Sequence, residues 1–220
     1  MSDVTKPRAR VGTTAGMLAC GVAAGPIYVV VGLVQLLIRD GFDISRHPLS
    51  VMSNGDLGWI QIANFLLAGG LTVVGAVGLR RALRPGKAAT WGPLLVGIYG
   101  AAVFLNGLFR ADPVDGFPPG TPLGPPTTIS WHGSVHFLVG ALGFFALIAG
   151  TFVIARRFKA EQQNGWAIYS RTTGAVFAAG FLALPISGNN PAAAVFFALT
   201  VVVAWAWVSA VTGKLRSQQT

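Results

Sequence analysis

Residues 133–155 read GSVHFLVGALGFFALIAGTFVIA, a stretch without a single Asp, Glu, Lys or Arg. A helix needs about 20 apolar residues to cross the roughly 30 Å of hydrocarbon in a bilayer. Nothing in the stretch alternates between apolar and polar, as a barrel strand would. Similar stretches occupy residues 16–38, 59–79, 91–109, 172–187 and 191–211. The chain therefore reads as an all-α integral membrane protein. Residues 16–212 form one six-transmembrane-helix bundle between short basic tails at 1–15 and 213–220. Composition agrees: 53% of the 220 residues are hydrophobic and 10% charged, against roughly 45–50% and 25% in soluble domains.

The loops divide the basic residues unequally. Lys6, Arg8, Arg10, Arg80, Arg81, Arg84, Lys87, Arg156, Arg157, Lys159, Arg171, Lys214 and Arg216 fall on one side, and only Arg39, Arg46 and Arg110 on the other. Basic loops stay in the cytoplasm, so both termini are expected there, in a multi-pass protein of the cell membrane. The formal net charge of +9 divides into +11 inside and −2 outside. It is a topology signal with attraction to anionic lipid headgroups on the cytoplasmic face, and nucleic acid is not an expected partner. The basic start could also open a cleaved leader ending near Cys20, but apolarity continues to Ile38, too long for a signal core. A single cysteine excludes an intrachain disulfide and dithiol redox chemistry.

Within the spans, Gly21, Gly25, Gly75, Gly78, Gly140 and Gly143 offer small faces for close helix approach. Pro26, Pro93 and Pro185 are expected to begin or kink helices. No Asp, Glu, Lys or Arg sits near the middle of a span, which counts against a proton- or ion-coupled transporter. Gln35, Gln61, Asn64 and Asn106 are expected to tie helices together by hydrogen bonds.

All three histidines and five of the seven acidic residues belong to the non-cytoplasmic face. His132 and His136, four apart on one helix, stand about 6 Å apart along the axis, within reach of one metal ion. With His47 and Asp112 they make a candidate Zn²⁺ ligand set that would activate a water molecule. Ser50 and Asp112 are the candidate catalytic groups, with His47 near Ser50 as a base. Arg46 and Arg110, with Asp56, could hold a phosphate or carboxylate headgroup. The competing reading has Arg110 and Asp112 pair with each other or with Asp56 and lock the loops. Ser53-Asn54-Gly55-Asp56 reads as a turn and cap for the next helix. Trp59, Trp91, Trp131 and Trp166 read as interfacial anchors. Asp40-Gly41-Phe42 recurs as Asp115-Gly116-Phe117, too short a match to define a repeat.

Six spans, His47-Pro48-Leu49-Ser50, the run Ser53-x-x-Asp56-Leu57-Gly58-Trp59-x-Gln61-x-x-Asn64-Phe65, Phe109-Arg110-x-Asp112-Pro113 and His132-x-x-x-His136 together resemble the uncharacterised prokaryotic membrane proteins of domain of unknown function family 998. That resemblance implies a fold and a membrane location and brings no activity. A more distant similarity is chemical. Ceramidase-like and adiponectin-receptor-like hydrolases place a serine, an aspartate and three histidines around zinc. His47, Ser50, Asp112, His132 and His136 match that inventory, with six helices instead of seven and the paired histidines on the fourth helix instead of the last. Three functions follow. The first is a membrane protein whose polar outer cluster contacts lipid headgroups or a small ligand. The second is a zinc-dependent hydrolase acting on a lipid, so enzymatic activity is an open question at this point. The third is a small-solute transporter. The topology is tested by a reporter fused after Thr220, which should be active in the cytoplasm; activity on the outer side would overturn the charge assignment.

Overall fold

The computed structural model describes residues 8–86, 88–126, 128–188 and 190–219; Lys6 and Lys87 lie outside the described residues, as do the side chains of Arg8 and Arg10. The chain forms α1 (Arg8–Ile38), α2 (Gly58–Ala82), α3 (Trp91–Leu108), α4 (Trp131–Ala160), α5 (Asn164–Ile186) and α6 (Pro191–Arg216), with a 3₁₀ turn at Leu49–Ser53. All six helices are long and apolar enough to cross a membrane. Helix is the form that satisfies every peptide group within its own segment, and hydrocarbon offers no other partner. The expected spans and the helices agree closely except at the starts of α1, which begins at Arg8, and of α5, which begins at Asn164. There the buried Ala167, Ser170 and Thr173 continue the packed face, while the exposed Arg171 lies on the opposite side and interrupts the apolar run in sequence.

Each helix packs against the next, and α6 closes the ring on α1, with a lesser contact between α2 and α6. Close approach at glycine holds the ring. A Cβ on Gly75 would lie 2.7 Å from the Cα of Gly21, joining α1 and α2. A Cβ on Gly69 would lie 2.5 Å from the Phe104 nitrogen on α3, and one on Gly143 would lie 2.5 Å from the Ala102 Cβ. Lipid tails are as apolar as the helices, so association rests on such van der Waals contact and on hydrogen bonds. The centre is aromatic: Trp205 stacks on Tyr28 at 4.7 Å and tilts against Tyr99 at 5.3 Å. Leu37, Leu138, Leu142 and Leu199 instead stand exposed on the outside, where lipid meets them.

Polar residues tie neighbours as expected. Gln35 donates to Gln61 at 2.7 Å, and Asn64 donates to the Tyr28 carbonyl at 3.2 Å, both between α1 and α2. Trp207 donates to Ser170 at 2.9 Å between α6 and α5. Asn106 departs from the expectation in part, because its buried Oδ1 finds no partner among the described residues. Basic residues occupy the last turns of α2, α4 and α6, at the end that carries both chain termini, where the helix dipole also favours them. Trp59, Trp91 and Trp131 are each 64% exposed at helix starts. Trp166 differs from that expectation and packs inward on Phe158 at 5.7 Å.

Gly69→Ala should destabilise the bundle by about 1–3 kcal/mol through overpacking against backbone. Gly97→Ala, whose Cβ would meet only the Ala76 methyl at 3.5 Å, should be neutral or mildly stabilising. Thermal unfolding of the two variants in one detergent checks the contrast, and equal behaviour would contradict the glycine-contact account.

Candidate functional site

Two loops, residues 39–57 and 109–130, cover the end of the bundle opposite the termini. Short loops over a bilayer have little apolar surface to bury, yet these build a small core of their own. Val51, Ala111 and Phe117 are buried there, with Phe42 and Val114 packed on them. The two Asp-Gly-Phe triplets meet here. Gly41 and Gly116 take left-handed φ of 77° and 88°, and the turns deliver Phe42 and Phe117 edge to face at 5.3 Å. In the second triplet, Val114 and Phe117 exchange backbone hydrogen bonds of 3.0 and 2.9 Å around Asp115 and Gly116, both at positive φ. Asp-Gly is the pairing such a tight turn selects.

Asp115 joins the two loops. Its carboxylate accepts from Arg46 Nε at 2.9 Å and Nη2 at 2.7 Å, and from the Gly124 N–H at 2.8 Å. Its carbonyl accepts from Arg46 at 3.0 Å. The forked contact with Arg46, followed by the Gly124 N–H, holds the Asp115 carboxyl down to about 2. The same carbonyl faces His47 Nε2 at 3.0 Å, while His47 Nδ1 faces the Asp43 N–H at 3.0 Å. A carbonyl can only accept and an N–H can only donate, so these partners assign the neutral ring protonated on Nε2. Asp43 in turn accepts from the Ser45 hydroxyl and N–H, which lower its pKa.

Arg39 connects this cap to the bundle. It is 8% exposed, directly beyond α1. Its guanidinium donates to the Met52 carbonyl at 2.7 Å and to the Asn54 carbonyl, and lies 5.1 Å from the Phe117 ring centre. It also reaches Gln35 at 3.5 Å, at the head of the α1–α2 polar pair. Burial lowers its pKa, and the field of Asp56 opposes that shift. Asn54 adds a bridge from Nδ2 to the Ala111 carbonyl at 2.9 Å. In the sequence Arg39 stands out only as an outer charge, and its approach to carbonyls 13 and 15 residues on has no local signature. The repeated Asp-Gly-Phe was the available signal for the cap core.

The candidate site residues separate into two groups. His47 is buried with both ring nitrogens committed, leaving no lone pair for a metal and no base for Ser50. Ser50 lies in the 3₁₀ turn, its carbonyl accepting from Ser53 at 2.8 Å. Asp112 accepts from the Ser130 N–H at 2.9 Å at the start of α4; a Cβ on Gly133 would collide with its oxygen, so glycine there admits the carboxylate to the positive end of the helix. Ser130 itself caps α4 by accepting from the Gly133 N–H at 3.0 Å. His136 turns inward and donates from Nδ1 to the Phe109 carbonyl at 2.7 Å, closing the end of α3. His132 is exposed and lies on Trp131 at 3.7 Å between ring centres. The four expected ligands therefore do not gather, and no group of three or more His, Cys, Asp or Glu able to hold a metal ion occurs among the described residues. Arg46 is likewise engaged by Asp115, whereas Arg110 and Asp56 are exposed and in no ion pair among the described residues. The turn expected at Ser53-Asn54-Gly55-Asp56 forms, but α2 starts after Leu57 without a side-chain cap.

Two outcomes test this cap. Arg39→Ala should cost about 2–3 kcal/mol, the scale of charged hydrogen bonds left unmade in a buried site, measured by chemical or thermal unfolding. Asp115 binds its proton more weakly in the folded than in the unfolded chain, so its contribution is full above pH 4 and is lost as pH falls through about 2. Protection of residues 39–57 and 109–130, measured against intrinsic exchange at each pH, should fall over that window in the wild type, and Asp115→Asn should already be less protected at pH 7.

The chain shows no significant match to a curated protein or to a solved structure. A family model described as "Protein of unknown function (DUF998)" matches residues 22–214, from α1 to the last turn of α6 and across both cap loops. The chain belongs to this DUF998 family of membrane proteins.

Proposed function

We infer that the protein is a polytopic protein of the cell membrane, with both termini cytoplasmic, whose cap contacts the phosphate of lipid headgroups. One observation carries the reading. Arg110 is exposed and in no ion pair among the described residues, and it directly follows Phe109, whose ring meets Trp131 at 5.9 Å and His132 at 5.8 Å. A guanidinium beside exposed aromatic rings at a helix start is suited to the zone where phosphates meet acyl chains. The other cationic side chains of the cap, Arg39 and Arg46, are occupied by its own carbonyls and carboxylate. At the opposite end, the basic last turns of α2, α4 and α6 support attraction to anionic headgroups of the cytoplasmic leaflet. The zinc hydrolase reading finds no support in a site whose histidines are separately engaged.

Native mass spectrometry of protein released from phosphatidylglycerol-containing nanodiscs tests the assignment. Wild type should retain one more tightly held phosphatidylglycerol than Arg110→Gln, and His132→Ala should weaken the same retention. Equal lipid counts in wild type and Arg110→Gln would overturn it.

A further inference from the structure

We propose that the seam between α1 and α6 is a lateral binding site for a single acyl chain of a membrane lipid, entered from the bilayer next to the cap. At its terminal half the seam is tight: a Cβ on Gly25 would lie 2.7 Å from the Trp205 carbonyl oxygen, and one on Gly21 would lie 2.6 Å from Thr212. Beyond Gly25, Tyr28 and Trp205 still stack across the seam at 4.7 Å, and past them the packing opens. A Cβ on Gly32 would meet nothing within 4 Å, and a cleft of about 90 Å³ opens there. Tyr28, Gly32 and Val201 form its buried floor, and Leu33 and Leu199, both more than half exposed, form its rims. Ile44 and Leu49 of the cap lie over it.

Three properties choose the occupant. The α6 lining, residues 198–202, lies roughly 10–16 Å along the helix from its cap end at 1.5 Å per residue, so the cleft opens within the hydrocarbon and continues the lipid-facing surface. Its lining side chains are aliphatic apart from the Tyr28 ring, and an apolar cavity of this kind stays dry and accepts apolar guests. Its size excludes a helix of a second copy, which is about 10–12 Å across with side chains, and admits a polymethylene chain. The site lies across the ring from the α3–α4 edge that carries Arg110, so it is independent of the headgroup contact proposed above.

The probe is a phosphatidylcholine with a diazirine on its acyl chain, photolysed in nanodiscs holding the full-length protein, with crosslinks mapped by peptide mass spectrometry. Labelling on α1 and α6 at Leu33, Leu36, Leu199 and Val202 should exceed severalfold that on the exposed α4 residues Leu138 and Leu142. Gly32→Phe fills open space and should bring the α1 and α6 labelling down to the α4 level without lowering the unfolding temperature, while Arg110→Gln leaves it unchanged. Equal labelling of the two surfaces in the wild type would show ordinary boundary lipid and overturn the proposal. A photocrosslinking-resistant cleft shielded by an α1–α6 contact between two copies would overturn it as well. The wild-type comparison decides even if Gly32→Phe does not fold, and Gly32→Ala and Gly32→Val then supply graded filling.

Discussion

A peptide group in hydrocarbon has no water to bond, and every feature of this protein follows from that one deprivation. It forces six stretches into helices that satisfy their own backbones. It also removes the hydrophobic drive that would press those helices together, because lipid solvates leucine as well as another helix does. Cohesion then depends on how closely backbones approach, which is why glycine occupies the points where α1 meets α2 and α2 meets α3. Polar side chains inside the ring are uncharged: Gln35, Asn64 and Trp207 bond a neighbouring helix, while Thr72, Thr151, Thr200 and Thr212 bond carbonyls of their own.

The constraint relaxes where the chain leaves the bundle, and there a different economy operates. The cap loops are long enough to expose carbonyls that need donors, and Arg39 supplies them from a buried position. A guanidinium is suited to this because its fork reaches two carbonyls while its face lies against Phe117. Asp115 does the complementary work with an acceptor, drawing Arg46, His47 and Gly124 onto one residue. The cap is thus a folded structure with its own core, coupled to the α1–α2 polar pair through Gln35.

This organisation changes what the charged residues of the outer loops mean. A chain with few ionisable groups invites the inference that a cluster of them is chemistry. Here His47, Asp112 and His136 each complete a structural hydrogen bond, to a turn, a helix start and a helix end respectively. On the periphery stand the exposed Arg110 and His132, the latter beside Trp131, and an apolar cleft between α1 and α6 next to the cap. These are the two places to which lipid contact is proposed, and neither proposal requires a metal.

Helix number, order and approximate ends were legible in the sequence because hydropathy is a local property, summed over residues that share one segment. Gly21, Gly25, Gly75, Gly78 and Gly143 were legible at helix contacts, since a small residue in a membrane helix has few other uses, whereas Gly69, which meets α3, was not singled out. The cap was not. His47 meets Asp115, and Asn54 meets Ala111, across loops that share no periodicity. An i, i+4 spacing located His132 and His136 on one helix but left undetermined whether their rings turn to the same neighbour. One faces the end of α3 and the other solvent and Trp131. The sequence by itself determined a six-helix membrane protein. Only the tertiary structure decided which polar groups are already spoken for, because a hydrogen bond is made between partners whose separation along the chain carries no information about their distance in space.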